Sequence, residues 1–541
     1  MVKRILLLIF TLFIINLTAQ AQSYMFRLYL SDKGHTPYSI DKPEDFLSQR
    51  SIERRIKQNI AIDGTDLPIS TDYIGEIQDL GCLVVAKSKW INTVTVYCSD
   101  SLVVELLKGL PFVDNAAFVW KGIKNNSSPV KKSIETKRLS SADNNSVYGS
   151  ADKQIKLHNG DYLHELGYQG QGMEIAVIDA GFNGLDQDHL LLSTANIKGI
   201  KDFVYNGGDI YQASRHGTSV LSCMAVNAPN TFMGTAPKAS YWLLRSEDAA
   251  SEFPIEEDYW VTAAEYADSL GVDLINVSLG YSTYDLPALS YTYSQMDGKT
   301  AFITKGADLA VSKGIFVVAS AGNEGNKAWR YITVPGDGMD VFTVGAVNAD
   351  SVLAGFSSRG PAFDGRIKPD VMAVGSNCAI VNAESVVAVG AGTSYASPVM
   401  CGLVACFWQA NPSLSNKEVA AILREASNRY TSPNGDYGYG IPDLKKAMDI
   451  ASEQTGIREE TLNDIGIKII SDTTSGEVLI SKHAEGNLEC MVNIYTIDGR
   501  LIVSETFRNK EKRIRLDKGS NRVYLIKIGC KNMAVTRKIC I

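Results

Sequence analysis

Four residues carry side chains suited to acyl transfer, and each sits beside glycine or small residues. Asp179 ends the apolar run within "EIAVIDAGFNG", His216 precedes the apolar helical run within "SRHGTSVLSCMAV", Asn323 follows "VVASAG", and Ser394 lies in "GAGTSYASPV". A serine hydroxyl is a poor nucleophile at neutral pH, so it needs a base such as histidine to take its proton. The histidine needs a carboxylate on its other ring nitrogen, to hold the tautomer and stabilise the imidazolium. The tetrahedral oxyanion needs donors, which an asparagine amide and the serine backbone N–H can supply. In "GAGTSYASPV", Gly392 is expected to turn the backbone and Pro398 to occupy the first turn of a helix. Ser394 then stands at or next to a helix N-terminus, which favours negative charge.

Each residue alone has a plainer reading. Ser394 and Asp179 suit helix caps, His216 a turn, and Asn323 a left-handed backbone position. The joint occurrence, in the chain order Asp, His, Ser, is what turns four ordinary residues into a catalytic set. His158, His164 and His189 have no such context and are read as structural.

Positioning this set requires strands that end together. "MEIAVID", "SYWLLR", "VDLINVSL", "GIFVVAS" and "DVFTVGAV" are near-continuous apolar runs, as expected of strands buried on both faces of a parallel sheet. Helical patterns separate them, notably at 255–270 and 300–312. From about 155 to 452 the chain therefore reads as an α/β doubly wound domain, whose ligands gather at the carboxyl ends of the strands. Before it, residues 24–122 read as strand, two helices (44–58 and 72–80), two strands around Trp90, a helix and a strand, an α+β unit. The polar stretch at 125–146 reads as an exposed linker. Beyond 465, alternating runs such as "EVLISK", "MVNIYTI" and "VYLIKI", with a turn at Asp498-Gly499, predict a small antiparallel β-sandwich. The polar "EQTGIREETLND" before it reads as a second linker.

At 541 residues the chain is too long for one ordinary core. Its net charge of −7 argues for neither nucleic acid nor a membrane surface as partner. Lys3 and Arg4, an apolar run from Ile5 to Leu17, and Ala19-Gln20-Ala21 form a secretory signal pattern, cut after Ala21. Nine cysteines are few and odd in number for a disulfide framework. Cys82 and Cys98 could pair, while Cys223 and Cys401 read as buried thiols. No zinc pattern occurs, no cofactor is implied, and without an Asp-x-Asp-x-Asp-Gly loop a structural calcium ion is neither assigned nor excluded.

Together "IDAGF", "HGTSVLSCMA", "INVSLGY", "ASAGNEG", "FSSRGP" and "GTSYASPVMCG" resemble the subtilisin-like serine proteases, in which the triad runs Asp, His, Ser. The resemblance places Asp179, His216 and Ser394 on the triad and Asn323 on the oxyanion hole. It places Ser278, Leu279 and Gly280 on the strand that pairs with an extended substrate, with Gly322 in the pocket wall. Tyr281 stands where a second glycine is common, and is expected to narrow the site. Residues 22–124 resemble the ferredoxin-like propeptide of these enzymes, an inhibitor and folding chaperone. The C-terminal part resembles the sorting domain of the type IX secretion system of Bacteroidetes bacteria, through "VNIYTIDGRLIVSETF" and the final "NRVYLIKIGCKNMAVTRKICI". It departs from that pattern at Arg522, where glycine is usual, and in lacking an opening Pro-Asn-Pro.

The expected organisation is a signal peptide (1–21), propeptide (22–124), linker (125–150), subtilisin-like peptidase domain (151–455) and C-terminal sorting β-domain (456–541). The expected function is a secreted or surface-held serine endopeptidase, a zymogen exported through the periplasm. Its partners would be protein or peptide substrates, its own propeptide and the outer-membrane secretion machinery, and not nucleic acid. The alternative is a catalytically silent surface-binding protein on a protease scaffold.

Overall fold

The computed structural model describes residues 22–541 apart from 123–136, 139–145, 187–188, 206, 456, 463–466, 473–474, 483–488, 497–498, 517–522, 531–532 and 541. The signal pattern, most of the first linker, Asp498 and Arg522 lie outside the described residues. The chain divides into two compact units, one reaching from the start to Asp443 without 165–167, the other holding those three residues and Leu444–Ile541.

The first unit opens with β1 (Ser23–Leu30), α1 (Gln49–Lys57), α2 (Thr71–Asp79), β2 (Leu83–Ser88), β3 (Thr93–Cys98), α3 (Val103–Lys108) and β4 (Val113–Gly122). Its four strands form one antiparallel sheet in the order β2-β3-β1-β4. The helix expected from Glu44 starts later. Ser48 accepts a hydrogen bond from Ser51 N and caps α1, while Pro43–Asp45 form a separate 3-10 turn. Cys82 and Cys98 face one another as buried free thiols, with sulfurs 2.9 Å apart.

A seven-stranded parallel sheet forms the centre. Its strands are β6 (Glu174–Asp179), β7 (Asn196–Asp202), β8 (Ser240–Arg245), β9 (Leu274–Val277), β10 (Phe316–Ser320), β11 (Phe342–Val347) and β12 (Val371–Val374). They lie in the order β12-β11-β10-β9-β6-β8-β7. β9, β10, β11 and β12 are buried at every residue, which explains why they read as unbroken apolar runs. Of the helices, α4 is His216–Ala225, α5 Ile255–Leu270, α6 Phe302–Ser312 and α7 Thr393–Ala410. Helix α5 ends where Gly271, at φ 89°, donates its N–H to Ala267 and Asp268 carbonyls. A small sheet joins β13 (Cys378–Val381) to β14 (Val387–Gly390), and the two-residue strand β5 (Lys137–Arg138) pairs with β14.

The N-terminal sheet docks on α5 through buried charges. Arg27 Nε donates to Asp258 Oδ1 at 2.7 Å, and Arg55 bridges Asp268 Oδ2 at 2.8 Å and Asp66 Oδ2 at 2.9 Å. Arg54 pairs with Asp268 as well. Glu265 accepts Ser88 Oγ (2.6 Å), Lys89 N (2.9 Å) and Trp90 N (3.0 Å). Trp90 itself sits in the same apolar core as Trp260 and Phe302 of the peptidase helices.

In the second unit two four-stranded antiparallel sheets share one apolar core that includes Ile467, Ile480, Val492 and Ile528. The expected linker around 453–464 is not open chain. Ile457–Leu462 pairs antiparallel with Ile467–Asp472 as an edge strand. Cys490 and Cys530, opposite one another on adjacent strands, form a disulfide.

Candidate active site

Asp179 is the last residue of β6 and is fully buried. Its Oδ1 accepts Ala180 N at 2.7 Å and His216 Nδ1 at 2.8 Å, so the histidine proton on Nδ1 is held toward the carboxylate. His216 is the first residue of α4, brought close by Gly217, where a Cβ would fall 2.4 Å from the Gly181 carbonyl oxygen. The His216 ring lies 6.2 Å from that of Tyr395, the residue after Ser394. Burial opposes charging of His216. The Asp179 charge and hydrogen bond, with a smaller contribution from Glu247, outweigh it and hold the pKa above the ordinary histidine value.

Ser394 is the second residue of α7. Gly392 precedes the helix in extended backbone (φ 160°), so the expected sharp turn is made without a left-handed residue. Pro398 lies not in the first turn but inside the helix. Its missing N–H leaves the Ser394 carbonyl without a helical partner, and Ser278 Oγ donates to that carbonyl at 2.8 Å instead. The Ser394 hydroxyl in turn donates to the Ser278 carbonyl at 3.1 Å. Behind this pair, Ser397 Oγ donates to Asn276 Oδ1 at 2.9 Å and Asn276 Nδ2 to Ser278 Oγ at 3.0 Å. Asn276 and Ser397, both fully buried, were not singled out by sequence reasoning, although they lie inside the quoted motifs.

Asn323, just past β10, accepts Thr393 N (2.9 Å) and Thr393 Oγ1 (3.0 Å) on Oδ1. Two donors on the oxygen fix the amide orientation and leave Nδ2 as the donor end. Ser278, Gly280, Gly322, Asn323 and Ser394 line one cavity of about 440 Å³. Leu279 is buried and does not line it. Tyr281 does not narrow it, because the ring is buried in the core and its hydroxyl donates to Glu247 Oε1 at 2.8 Å. His158, His164 and His189 are buried, each with a ring nitrogen on a backbone carbonyl (Pro442, Thr235 and Asn382). Among the described residues no group of three or more His, Cys, Asp or Glu side chains could hold a metal ion.

A family model described as the subtilase family matches residues 170–440, the stretch that holds Asp179, His216, Asn323 and Ser394. The chain belongs to the subtilase family. A model of the Bacteroidota peptidase S8 propeptide domain matches residues 25–137 of this subtilase, so the N-terminal sheet is its propeptide domain. The subtilase is 32% identical to Subtilisin E of Bacillus subtilis (strain 168) over 288 residues, 53% of this chain and 68% of that one. It is 31% identical to a subtilisin of Bacillus pumilus over 288 residues, covering 53% and 94%. With Serine protease AprX of Bacillus subtilis (strain 168) it shares 28% over 309 residues, covering 52% and 66%. It is a subtilisin-like serine endopeptidase. Among the described residues no helix of the subtilase is long and apolar enough to cross a membrane.

Proposed function

We propose that Asp179, His216 and Ser394 hydrolyse peptide bonds through an acyl-enzyme. The observation that carries this reading is the 2.8 Å Asp179–His216 contact beside the α7 N-terminus that presents Ser394. Rotation of the Ser394 side chain off the Ser278 carbonyl brings its hydroxyl to His216 Nε2. His216 takes the proton as Oγ attacks the carbonyl carbon, then returns it to the leaving amine. The Ser394 N–H and Asn323 Nδ2 receive the oxyanion, and the backbone of Ser278, Leu279 and Gly280 pairs with the extended substrate. Water then attacks the acyl carbon by the same route and frees the enzyme.

The wider reading adds processing and export. Residues 1–21 direct export, the propeptide domain keeps the cleft silent, and cutting occurs between residues 125 and 150. Residues 456–541 address the protein to a type IX outer-membrane machinery, leaving a secreted or surface-held enzyme. Calcium is neither required by nor excluded from this scheme.

Ser394→Ala tests the catalytic reading. Hydrolysis should fall to a residual roughly 10³–10⁴-fold over water, because oxyanion donors and binding remain. The precursor should also accumulate uncut. Full hydrolysis by that variant would mean a different nucleophile, whereas no hydrolysis by the processed wild-type enzyme would leave the silent-scaffold reading.

A further inference from the structure

The cavity beside Ser394 is unusual in charge. Its wall holds three carboxylates, Glu252, Asp285 and Glu324, and one cation, Lys327. Lys327 Nζ is 2.8 Å from Glu324 Oε1, so that pair is largely neutralised. Glu252 and Asp285 are locked on one wall by reciprocal backbone contacts. Glu252 N donates to Asp285 Oδ2 at 3.0 Å, and Asp285 N donates to the Glu252 carbonyl at 2.9 Å.

Two further observations point to what enters. Thr333, only 3% exposed, lines the cavity, and its Oγ1 has no hydrogen-bond partner among the described residues. That oxygen faces the space left by Gly280 and Gly322, where a Cβ would fall 2.3 Å and 2.7 Å from it. An N–H donor from a long side chain would satisfy it. Glu247, joined to Tyr281 near the catalytic histidine, is the second. Burial and then the Glu252 charge push it up to about 8, so Glu247, which does not itself line the cavity, feels the Glu252 carboxylate that does. Ser282, Thr283 and Ser320 make much of the remaining lining polar, which favours an apolar side chain little.

We propose that this cavity selects a lysine or arginine side chain on the residue N-terminal to the cleaved bond, with Glu252 and Asp285 as the specificity-determining carboxylates. The proposal rests on the acyl-enzyme reading above. The predicted processing linker carries such residues, Lys131-Lys132 and Lys137-Arg138, and the latter pair is already hydrogen-bonded to β14, the strand that leads into Ser394. The enzyme's own first substrate thus has the chemistry that the cavity would recognise.

The test is kcat/KM for the processed enzyme on fluorogenic peptides identical except for that residue, set as Arg, Lys, Phe or Glu. Arg and Lys should exceed Phe by at least about tenfold, a typical discrimination for one well-placed contact, and Glu should be poorest. The Arg-to-Phe ratio should fall by at least about tenfold in Glu252→Gln/Asp285→Asn, and should also fall with added salt. A ratio ignores the fraction of folded protein, and Asp285→Asn alone, at an exposed position, should lower it too. Preference for Phe over Arg, or an unchanged ratio in these variants, would overturn the proposal. Labelling of Ser394 by a fluorophosphonate, independent of the peptide residue, separates failure of this proposal from failure of the catalytic reading.

Discussion

Ser278 and Ser394 hold each other by reciprocal hydrogen bonds. The Ser278 hydroxyl donates to the Ser394 carbonyl at 2.8 Å, and the Ser394 hydroxyl donates to the Ser278 carbonyl at 3.1 Å. The first bond exists because Pro398 cannot donate to the carbonyl four residues before it. A helix defect is therefore used to tie the proposed nucleophile to the strand that is expected to bind substrate.

Removing that tie should disturb catalysis more than folding. Ser278→Ala leaves a carbonyl without its donor, a cost of about 1–3 kcal/mol where the group is buried. The expected result is a kcat lower by roughly tenfold with KM changed less, read alongside a thermal midpoint. A variant with wild-type kcat would show that the clamp does not position Ser394.

The oxyanion donor should behave differently. Asn323→Ala removes Nδ2 and also frees the Thr393 N–H and hydroxyl that Oδ1 holds. We expect kcat to fall by about 10²–10³ with KM little altered, as for a group that acts in the transition state. A rise in KM at constant kcat would move Asn323 to ground-state binding.

Histidine 216 must be neutral to accept a proton. Its pKa is raised, so activity should be full above that pKa and be lost as pH falls through it. The acid limb of kcat/KM should therefore lie above the ordinary value of about 6.5. With a basic substrate, a further rise should follow near pH 8 as Glu247 ionises, and Glu247→Gln should remove it. A single limb at or below about 6.5 would contradict both assignments.

Docking of the propeptide domain on α5 rests on Asp268, which faces both Arg54 and Arg55. Asp268→Asn leaves buried guanidinium charge poorly matched, a loss of about 3–5 kcal/mol for a broken buried pair. Denaturant unfolding of the uncut Ser394→Ala chain, with and without Asp268→Asn, measures it. A loss under about 0.5 kcal/mol would show that the pair is not what holds the domain.

The parallel sheet was legible because its central strands are buried on both faces and so read as continuous apolar runs. The candidate acid, base, amide and nucleophile were legible because each lies where such a strand ends or a helix begins. Glu247 and Glu252 were not, since "SEDAASEF" is a polar loop with no period, and only the fold brings Glu252 to the cavity and Glu247 to Tyr281. The Ser278–Ser394 clamp depends on where Pro398 falls in α7, which a one-turn error in the helix start conceals. The disulfide Cys490–Cys530 escaped because strand register, not spacing, brings those residues together. Tyr281 departs from expectation because a large residue where a second glycine is common suggests a narrowed site, whereas its ring has a place in the core.

The most direct measurement is to treat the processed enzyme with a fluorophosphonate and map the adduct by peptide mass. The account predicts one adduct on the peptide containing Ser394, labelling slowed in His216→Ala, and no adduct in Ser394→Ala. An adduct on another residue, or none in a folded and processed protein, would contradict the account.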